Sequence, residues 1–442
     1  MQKKLPGLSL GLAGSSHSRQ RLLVIGNGGA AINAIKAART AGYQGTFHLI
    51  SDTLNPAFSP MLSPYYLSGE ISFERCFPYG QEFYKKYSVR CHFGSSAEAV
   101  DIKNQTVYLD NGQTVSYDQC LITTGASPFL PPVPGLKNSH HVFTLRTPEQ
   151  MTRLHKALIG TKKAIVLGAS LIGIKLAEIL MKRGIEVILV ELAGQVLPFS
   201  AHPQLVPILH GHLLKQKVNF HLGWILKWAE ETEKRVHLQF REGQTLEADM
   251  VLVCIGTKPN MEFLKDAPIQ IDQGIIVDDH MRTNINNVYA AGDVSQGRNQ
   301  LTGEKETIGL WGNACFQGRI AGLNMIGINV SHPGYLRQSV NHFWGISFIQ
   351  LGDINPQGKE VEVLEQFDPL EGVYRLLVFD EEILIGANLI NCLGDAGRLR
   401  THILRKSKKG EVQGRYISYP SGKEFVMIKP IFYPSLNFLD NW

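Results

Sequence analysis

The sequence lacks the features that mark several classes of protein. Its six cysteines, at positions 76, 91, 120, 254, 315 and 392, form no CxxC pair and no metal-ligand spacing. No run of eighteen or more apolar residues occurs, so we expect no transmembrane helix. The formal net charge of +5 is small for 442 residues, and the interspersed charges do not indicate nucleic-acid binding. We therefore expect a cytoplasmic protein with reduced thiols.

What is present indicates a folded α/β protein of more than one domain. The chain is 44% hydrophobic and 19% charged and contains 43 glycines, and its length exceeds that of one ordinary core. Residues 1–20 hold a short Leu/Gly run that is broken by Pro6 and Gly7. We predict that they form a flexible extension rather than a signal peptide.

Two segments, residues 22–51 and 164–191, repeat one pattern of apolar strand, small-residue turn, helix and second apolar strand. This pattern predicts two Rossmann-like dinucleotide-binding domains with parallel sheets. The Pro-rich stretch FLPPVPG marks a domain boundary. We assign residues 21–144 and 268–330 to a discontinuous first domain and residues 145–267 to the second. Alternating strands predict a C-terminal α+β domain over residues 331–442.

The first unit contains the turn VIGNGGAA directly after a strand and before a helix. Gly26, Gly28 and Ala31 occupy the GxGxxG/A positions, with Gly29 between them. Gly26 permits a tight turn, Gly28 lets the backbone approach a pyrophosphate, and Ala31 allows close helix packing. The turn therefore predicts a dinucleotide site at the helix N-terminus.

The second unit places Gly168, Ser170 and Gly173 at the same three positions. Ser170 replaces the usual glycine. A small side chain still fits beside a pyrophosphate, but it penalises the closest approach. We expect a dinucleotide that is bound more weakly here or is slightly displaced.

The second strand of each unit ends in a polar residue that can accept from ribose hydroxyls. In the first unit the candidates are Ser51 and Asp52, although Asp52 suits the capping of the next turn equally well. In the second unit it is Glu191, followed by LAGQVLP without Arg or Lys. A carboxylate there repels a 2′-phosphate, which favours NADH over NADPH. The alternative for Glu191 is a solvated acid at a strand end.

The stretch NVYAAGDVSQ places Gly292 and Asp293 after a short strand, and a helical segment follows at residues 313–325. An aspartate in this position can hydrogen-bond a polyol chain. The helix N-terminus can offer its dipole to an electron-rich ring carbonyl.

The ordered set of motifs is more specific than any one of them: GxGxxA, TTGASP at 123–128, GxSxxG with Glu191, CIGTKPN at 254–260, and AAGD. In this set the chain resembles the FAD-dependent pyridine nucleotide-disulfide oxidoreductase superfamily. It looks most like the branch of ferredoxin and rubredoxin reductases, coenzyme A disulfide reductases and NADH oxidases. The resemblance covers residues 21–330 strongly and implies FAD in the first domain, NADH in the second, and a C-terminal domain of the dimer-interface type.

The resemblance also implies roles for individual residues. Thr124 and Gly125 would close the crossover between the domains, Asp293 would bind the ribityl chain, and Gly256 would contact NADH. The predicted cofactor-binding residues are Gly26, Gly28, Gly29, Ala31, Ser51, Asp52, Thr124, Gly125, Gly168, Ser170, Gly173, Glu191, Gly256, Gly292 and Asp293.

The chain departs from this superfamily in its redox thiols. It has no CxxxxC pair, and in AFSPMLSPYYLSGE Met61 stands where coenzyme A disulfide reductases carry a cysteine. A thioether forms neither a thiolate nor a mixed disulfide. We therefore predict that NADH reduces the flavin at N5 and that the electrons leave to an external acceptor. Among the cysteines, Cys76 lies in a polar stretch and stays a candidate.

The acceptor predicted from this reasoning is an iron-sulfur protein such as ferredoxin, or a partner subunit, and the flow can run in either direction. A quinone and oxygen are other possible acceptors. The alternatives are an NADH oxidase, a coenzyme A disulfide reductase-like enzyme, or a non-catalytic FAD/NAD-binding redox sensor. A homodimer or a subunit of a larger complex is compatible with each.

A few other residues have two interpretations. Tyr65, Tyr66 and Trp311 either pack near the cofactors or are core aromatics. The basic run at residues 398–409 either steers an acidic partner or is a solvated helix end. Lys175 either contacts nucleotide or faces water.

Overall fold

The computed structural model describes residues 20–416 and 426–428, with side chains up to residue 412. The extension predicted for residues 1–20 therefore lies outside the described residues, except for Gln20. The part of the predicted C-terminal domain beyond residue 416 does so too, apart from residues 426–428.

The first part of the chain begins with a strand, a helix and a second strand, as the repeated pattern predicts. Two short 3-10 helices, Pro60–Leu62 and Phe73–Cys76, flank its second helix. Its strands and helices are β1 (Arg21–Ile25), α1 (Gly29–Thr40), β2 (Thr46–Ser51), α2 (Ser63–Ser68), α3 (Gln81–Lys86), β3 (Val89–Phe93), β4 (Ala97–Asp101), β5 (Thr106–Leu109), β6 (Thr114–Ser116), β7 (Gln119–Ile122) and β8 (Ala126–Pro128).

The second part also contains a strand, a helix and a second strand in succession. Two short 3-10 helices, Pro203–Leu205 and Glu262–Leu264, lie in its loops. Its strands and helices are β9 (Val142–Phe143), α4 (Pro148–Ala157), β10 (Lys163–Leu167), α5 (Leu171–Lys182), β11 (Glu186–Glu191), α6 (Val206–Lys215), β12 (Asn219–Leu222), β13 (Leu226–Glu231), β14 (Val236–Phe240), β15 (Thr245–Ala248), β16 (Met250–Val253) and β17 (Thr257–Pro259).

The remaining part completes the first unit and then changes to long antiparallel strands. Its elements are β18 (Ile275–Ile276), β19 (Val288–Ala290), β20 (Ser295–Arg298), β21 (Lys305–Glu306), α7 (Trp311–Met325), β22 (Gln338–Phe343), β23 (Ile346–Gly352), β24 (Glu362–Asp368), β25 (Val373–Asp380), β26 (Ile383–Ile390), α8 (Leu393–Leu404), α9 (Lys409–Tyr416) and β27 (Val426–Ile428).

The first sheet is parallel and has the order β19-β7-β1-β2-β3. Its central strand, RLLVI, is buried from its second residue onward, which fits a sheet that is covered on both faces. A separate antiparallel sheet, β4-β5-β6, lies in the same part of the chain. Strand β19 comes from after the second unit, so the first unit is discontinuous in sequence.

The second sheet is also parallel, in the order β12-β11-β10-β16-β9, and is accompanied by the antiparallel sheet β13-β14-β15. The predicted fold class, with two Rossmann-like units, is confirmed. The predicted boundary at residue 145 needs a correction. Val142 and Phe143 of β9 pair with β16 and thus belong to the second sheet. Two residues are too few to show an apolar pattern in the sequence.

The C-terminal part is α+β, as predicted. Its antiparallel sheet has the order β22-β23-β26-β25-β24-β27, and α8 packs against strands β23 and β26. Within the described residues, no helix combines the length and the hydropathy needed to cross a bilayer.

Hydrogen bonds and ion pairs join the C-terminal sheet to helix α5 of the second unit. The buried carboxylate of Glu178 accepts from Lys175 Nζ at 2.9 Å, from Lys182 Nζ at 2.8 Å and from Trp344 N at 2.9 Å. Although burial acts in the opposite direction, these donors lower the pKa of Glu178. Lys175 also donates to the carbonyl of His342 at 3.0 Å. Both interpretations of Lys175 were therefore wrong, because its ammonium joins α5 to the C-terminal sheet.

Candidate functional site

The carboxyl ends of strands β1, β2, β7 and β19 meet around a cavity of about 540 Å³. In parallel sheets, ligands bind at this edge. The cavity is called the cofactor cavity below. The sequence-predicted residues that line it are Gly26, Gly28, Gly29, Ser51, Asp52, Thr124, Gly125, Gly292 and Asp293.

The first turn has the geometry that a pyrophosphate requires. Gly26 has a φ of +103°, and a Cβ on it would lie 2.3 Å from the carbonyl oxygen of Thr123. Gly28 is the N-cap residue of α1, and no described side chain caps this helix. A Cβ on Gly28 would meet nothing within 4 Å. The N–H groups of the first helical turn are thus left for an anionic ligand.

Helix α7 brings a second helix N-terminus to the same cavity. A Cβ on Gly318 or Gly322 would lie 2.1 or 2.3 Å from backbone oxygens of α1, so only glycine permits this close packing. Ala31 is fully buried in α1 and does not line the cavity, which agrees with the packing role predicted for it. Trp311, the first residue of α7, lines the cavity.

Asp293 lies in the cavity as an ion pair with Arg146. The carboxylate can accept from hydroxyls of a polyol chain, and the guanidinium offsets its charge. Sequence reasoning missed Arg146. The sequence signal that could have pointed to it is the next residue, Thr147, which forms a capping box with Gln150 and thereby marks the start of α4.

Asn27, inside the first turn, is another residue that sequence reasoning missed. The hydroxyl of Tyr84 donates to Asn27 Oδ1 at 2.8 Å and accepts from the N–H of Ala57 at 2.9 Å. Burial raises the pKa of Tyr84 to about 12, so the hydroxyl stays protonated. Tyr84 thereby fixes the turn against the segment that leads to Met61.

At the end of β2, both predicted candidates face the cavity. Ser51 is buried, and its Oγ lies 3.3 Å from Oγ1 of Thr53, whereas Asp52 is exposed. Both are available to a ribose, so the choice between them stays open.

The segments TTGASP and CIGTKPN are joined to each other. Strands β8 and β17 pair antiparallel. Thr124 Oγ1 donates to the carbonyl of Asn260 at 2.7 Å, and Asn260 Nδ2 donates back to the carbonyl of Thr124 at 2.9 Å. The N–H of Asn260 donates to the carbonyl of Gly125 at 3.0 Å. This ribbon connects the two Rossmann-like units at the edge of the cofactor cavity.

The second turn differs from the first in its capping. Ser170 is the N-cap of α5, and its Oγ accepts from Gly173 N at 3.2 Å and donates to the carbonyl of Cys254 at 2.9 Å. The hydroxyl is therefore engaged within the protein. Gly168 has a φ of +102°, close to that of Gly26, and Gly256, in the loop between β16 and β17, has a φ of +119°. These residues lie together at the carboxyl edge of the second sheet.

Glu191 is held against the second turn. Its exposed fraction is 8%, and its two oxygens accept from the N–H groups of Ala169 at 2.7 Å and Ala193 at 2.9 Å. Burial raises its pKa, although these backbone donors act in the other direction. The alternative of a solvated strand-end acid was therefore wrong.

The aromatic candidates separate into two groups. Trp311 lines the cofactor cavity, but Tyr65 and Tyr66 do not. Tyr66 packs against Phe73 and His155, with ring centroids 5.7 and 4.9 Å apart. Tyr66 is thus a packing aromatic, and Tyr65 is half-exposed beside it.

Met61 lines the cofactor cavity with 59% of its surface exposed, and no cysteine is among the described residues that line it. Cys76 is fully buried, and burial raises its pKa. Burial raises the pKa of Cys91 and Cys392 to about 11 and that of Cys254 to about 12. No described group of three His, Cys, Asp or Glu side chains could hold a metal ion.

The family model for pyridine nucleotide-disulphide oxidoreductases matches residues 20–318. The chain belongs to this family. It is thus an FAD-dependent NAD(P)H oxidoreductase.

Three relatives cover most of the chain. The epsilon subunit of the NADH-dependent phenylglyoxylate dehydrogenase of Aromatoleum evansii is 32% identical, over 90% of this chain and 95% of its own. An NADH oxidase of Methanocaldococcus jannaschii is 32% identical over 73% of each chain. A rubredoxin-NAD(+) reductase of Pseudomonas putida is 27% identical, over 84% of this chain and 95% of its own.

Among solved structures, the NAD-dependent persulfide reductase from A. fulgidus superimposes with a TM-score of 0.84 at 24% identity. The match covers 90% of this chain and 79% of that one. Because the identity is 24%, this similarity shows only that the two proteins share a fold.

Proposed function

We propose that this oxidoreductase transfers electrons between NADH and an iron-sulfur protein or partner subunit. The observation that carries the proposal is the cofactor cavity, which has Met61 and no cysteine among its described lining residues. A thioether forms no mixed disulfide, so a disulfide substrate would meet no thiol among the described residues of this surface. The electrons must then pass to an acceptor outside the chain.

The residues of the cavity fit FAD. The free N–H groups at Gly28 and the start of α1 suit the pyrophosphate, and Asp293 suits the polyol chain. Arg146 and the N-terminus of α7 supply positive potential to the same space. When bound, the flavin supplies the chemistry of accepting a hydride and releasing electrons, and the protein orients it.

NADH is the proposed dinucleotide at the second turn. The carboxylate of Glu191 lies within 2.7 Å of the backbone of this turn, where it would accept from ribose hydroxyls and repel a 2′-phosphate. The names of the relatives are consistent with this choice, because NADH or NAD(+) stands in all three.

An iron-sulfur partner is supported by two observations. The relatives include a rubredoxin-NAD(+) reductase and a protein that is itself named as a subunit of a larger dehydrogenase. The basic run also offers cations to an acidic partner, because Arg398, Arg405, Lys406 and Lys408 are exposed. Arg400 and Lys409 are engaged with Gln338 and Glu362. A partner subunit that feeds electrons to the flavin would make the enzyme reduce NAD.

The cytoplasm is the proposed compartment, because all six cysteines are unpaired.

The test is an anaerobic titration of the purified flavoprotein with NADH, followed by the flavin absorbance. Oxygen, coenzyme A disulfide and ferredoxin are then added separately to the reduced enzyme. We expect bleaching by NADH and rapid recovery with ferredoxin alone. Met61→Leu is the matched variant: it keeps the volume, removes the sulfur and should recover at the same rate.

The second candidate function is that of an NADH oxidase, which the relative from M. jannaschii favours. Rapid recovery with oxygen would support it, and rapid recovery with coenzyme A disulfide would show that a thiol relay exists. Bleaching without turnover on any acceptor would instead support a non-catalytic sensor.

A further inference from the structure

An aromatic pair stands at the carboxyl end of β12, outside the residues assigned so far. The rings of His221 and Trp224 are stacked, with centroids 4.0 Å apart and an angle of 7° between their planes. Both residues are partly exposed. Trp224 also packs against Phe240 of β14, with ring centroids 5.2 Å apart. Trp224 is thus packed against the sheet below it, and the pair as a whole stays partly open to solvent.

Backbone hydrogen bonds place this pair beside Glu191. The N–H of Trp224 donates to the carbonyl of Glu191 at 3.2 Å, and the N–H of Gly223 donates to the carbonyl of Ala193 at 3.0 Å. In the parallel ladder, His221 lies opposite Val190, the neighbour of Glu191. The aromatic pair and the carboxylate thus occupy adjacent strand ends of the same sheet.

The three features follow one another across the carboxyl edge of the sheet. The second turn lies at β10, the carboxylate of Glu191 at β11, and the aromatic pair at β12, and these strands are neighbours. A dinucleotide presents its groups in the corresponding order of pyrophosphate, ribose and adenine. Bases bind readily to flat aromatic surfaces because every base has a π-face. Burial lowers the pKa of His221, which favours the neutral form of its ring.

We propose that His221 and Trp224 form the surface on which the adenine ring of NADH stacks. This assignment rests on the proposed NADH site at the second turn. It gives the stacked rings a role beyond the packing of Trp224 on Phe240.

The test compares two hydride donors that differ only in the adenosine half. NADH carries adenine, whereas reduced nicotinamide mononucleotide lacks it. With His221→Ala and an artificial one-electron acceptor, we expect the KM for NADH to rise about tenfold at an unchanged kcat. The kcat/KM for reduced nicotinamide mononucleotide should stay at its original value. His221→Phe, which keeps a flat ring, should restore most of the affinity for NADH.

The control variant is Trp228→Leu, which removes a neighbouring tryptophan on β13. It should change neither donor's constants. Equal effects of His221→Ala on the two donors, or no effect on either, would overturn the assignment while leaving the proposed function intact. If the unaltered flavoprotein oxidised neither donor, the proposed function would fail and the assignment would fail with it.

Discussion

Two alanine substitutions in the first turn distinguish the backbone conformation that the turn requires from the contact that it makes with the cofactor. Gly28→Ala places a methyl group where the structure has nothing within 4 Å, at a φ of −99° that alanine tolerates. The entropy that the unfolded chain loses and the poorer N-cap preference of alanine oppose each other, so the stability of the apoprotein should stay within about 1 kcal/mol of the original. The new methyl group faces the cofactor cavity, however, and keeps the pyrophosphate from the α1 N–H groups.

The expected effect of Gly28→Ala on FAD binding follows from those hydrogen bonds. A hydrogen bond to a charged group contributes about 1.5–3 kcal/mol, which corresponds to an affinity about 10- to 150-fold lower. Thermal unfolding of the apoprotein and fluorescence titration with FAD measure the two quantities separately. Unchanged FAD affinity in Gly28→Ala would refute the assignment of this turn to the pyrophosphate.

Gly26→Ala is the contrasting variant, because its defect should lie in the apoprotein itself. A non-glycine residue at a φ of +103° costs about 1–3 kcal/mol. The Cβ would also lie 2.3 Å from the backbone oxygen of Thr123, a residue held to β1 because its N–H donates to the carbonyl of Ile25 at 2.7 Å. We expect the apoprotein of Gly26→Ala to unfold at a clearly lower temperature than that of Gly28→Ala. Equal unfolding temperatures would contradict this reading of the turn.

Two further predictions concern charges at the two sites. Glu191 must be ionised to accept from ribose hydroxyls, and burial raises its pKa. On acidification, NADH affinity should therefore begin to fall at a higher pH than it would with a glutamate of ordinary pKa. In Glu191→Gln the KM for NADH should be higher and this pH dependence should vanish; persistence of the same pH profile would point to another group. Arg146→Ala leaves the carboxylate of Asp293 uncompensated in a cavity for an anionic cofactor, so FAD affinity should fall about tenfold. Arg146→Lys should retain most of it, and equal retention of FAD by both variants would remove Arg146 from the site.

The sequence predicted the parts of the site that depend on local backbone chemistry. A strand, a glycine turn and a helix are consecutive in the chain, so Gly26, Gly28 and the start of α1 could be assigned from residue order alone. Asp293 could be placed too, because it lies in the turn that follows its own strand. The TTGASP and CIGTKPN segments were grouped by resemblance, and the structure pairs them as β8 and β17.

The residues that escaped prediction depend on contacts between distant segments. Arg146 and Tyr84 act through Asp293 and Asn27, and no periodicity in the sequence relates these pairs. Lys175 was misread because its partner, the carbonyl of His342, lies on the C-terminal sheet. The hydroxyl of Ser170 illustrates a third limit: the sequence shows which side chain replaces a glycine, but the direction in which it points depends on the carbonyl of Cys254.

The position of β19 in the first sheet has a consequence for how the protein is made. This strand pairs with β7, yet it is synthesised only after every strand of the second sheet. Until residue 290 emerges, β7 presents an unpaired sheet edge, and such edges attract other strands. The nascent chain therefore holds all the strands of its second nucleotide fold before the last strand of its first, and the cofactor cavity can be completed only late in synthesis.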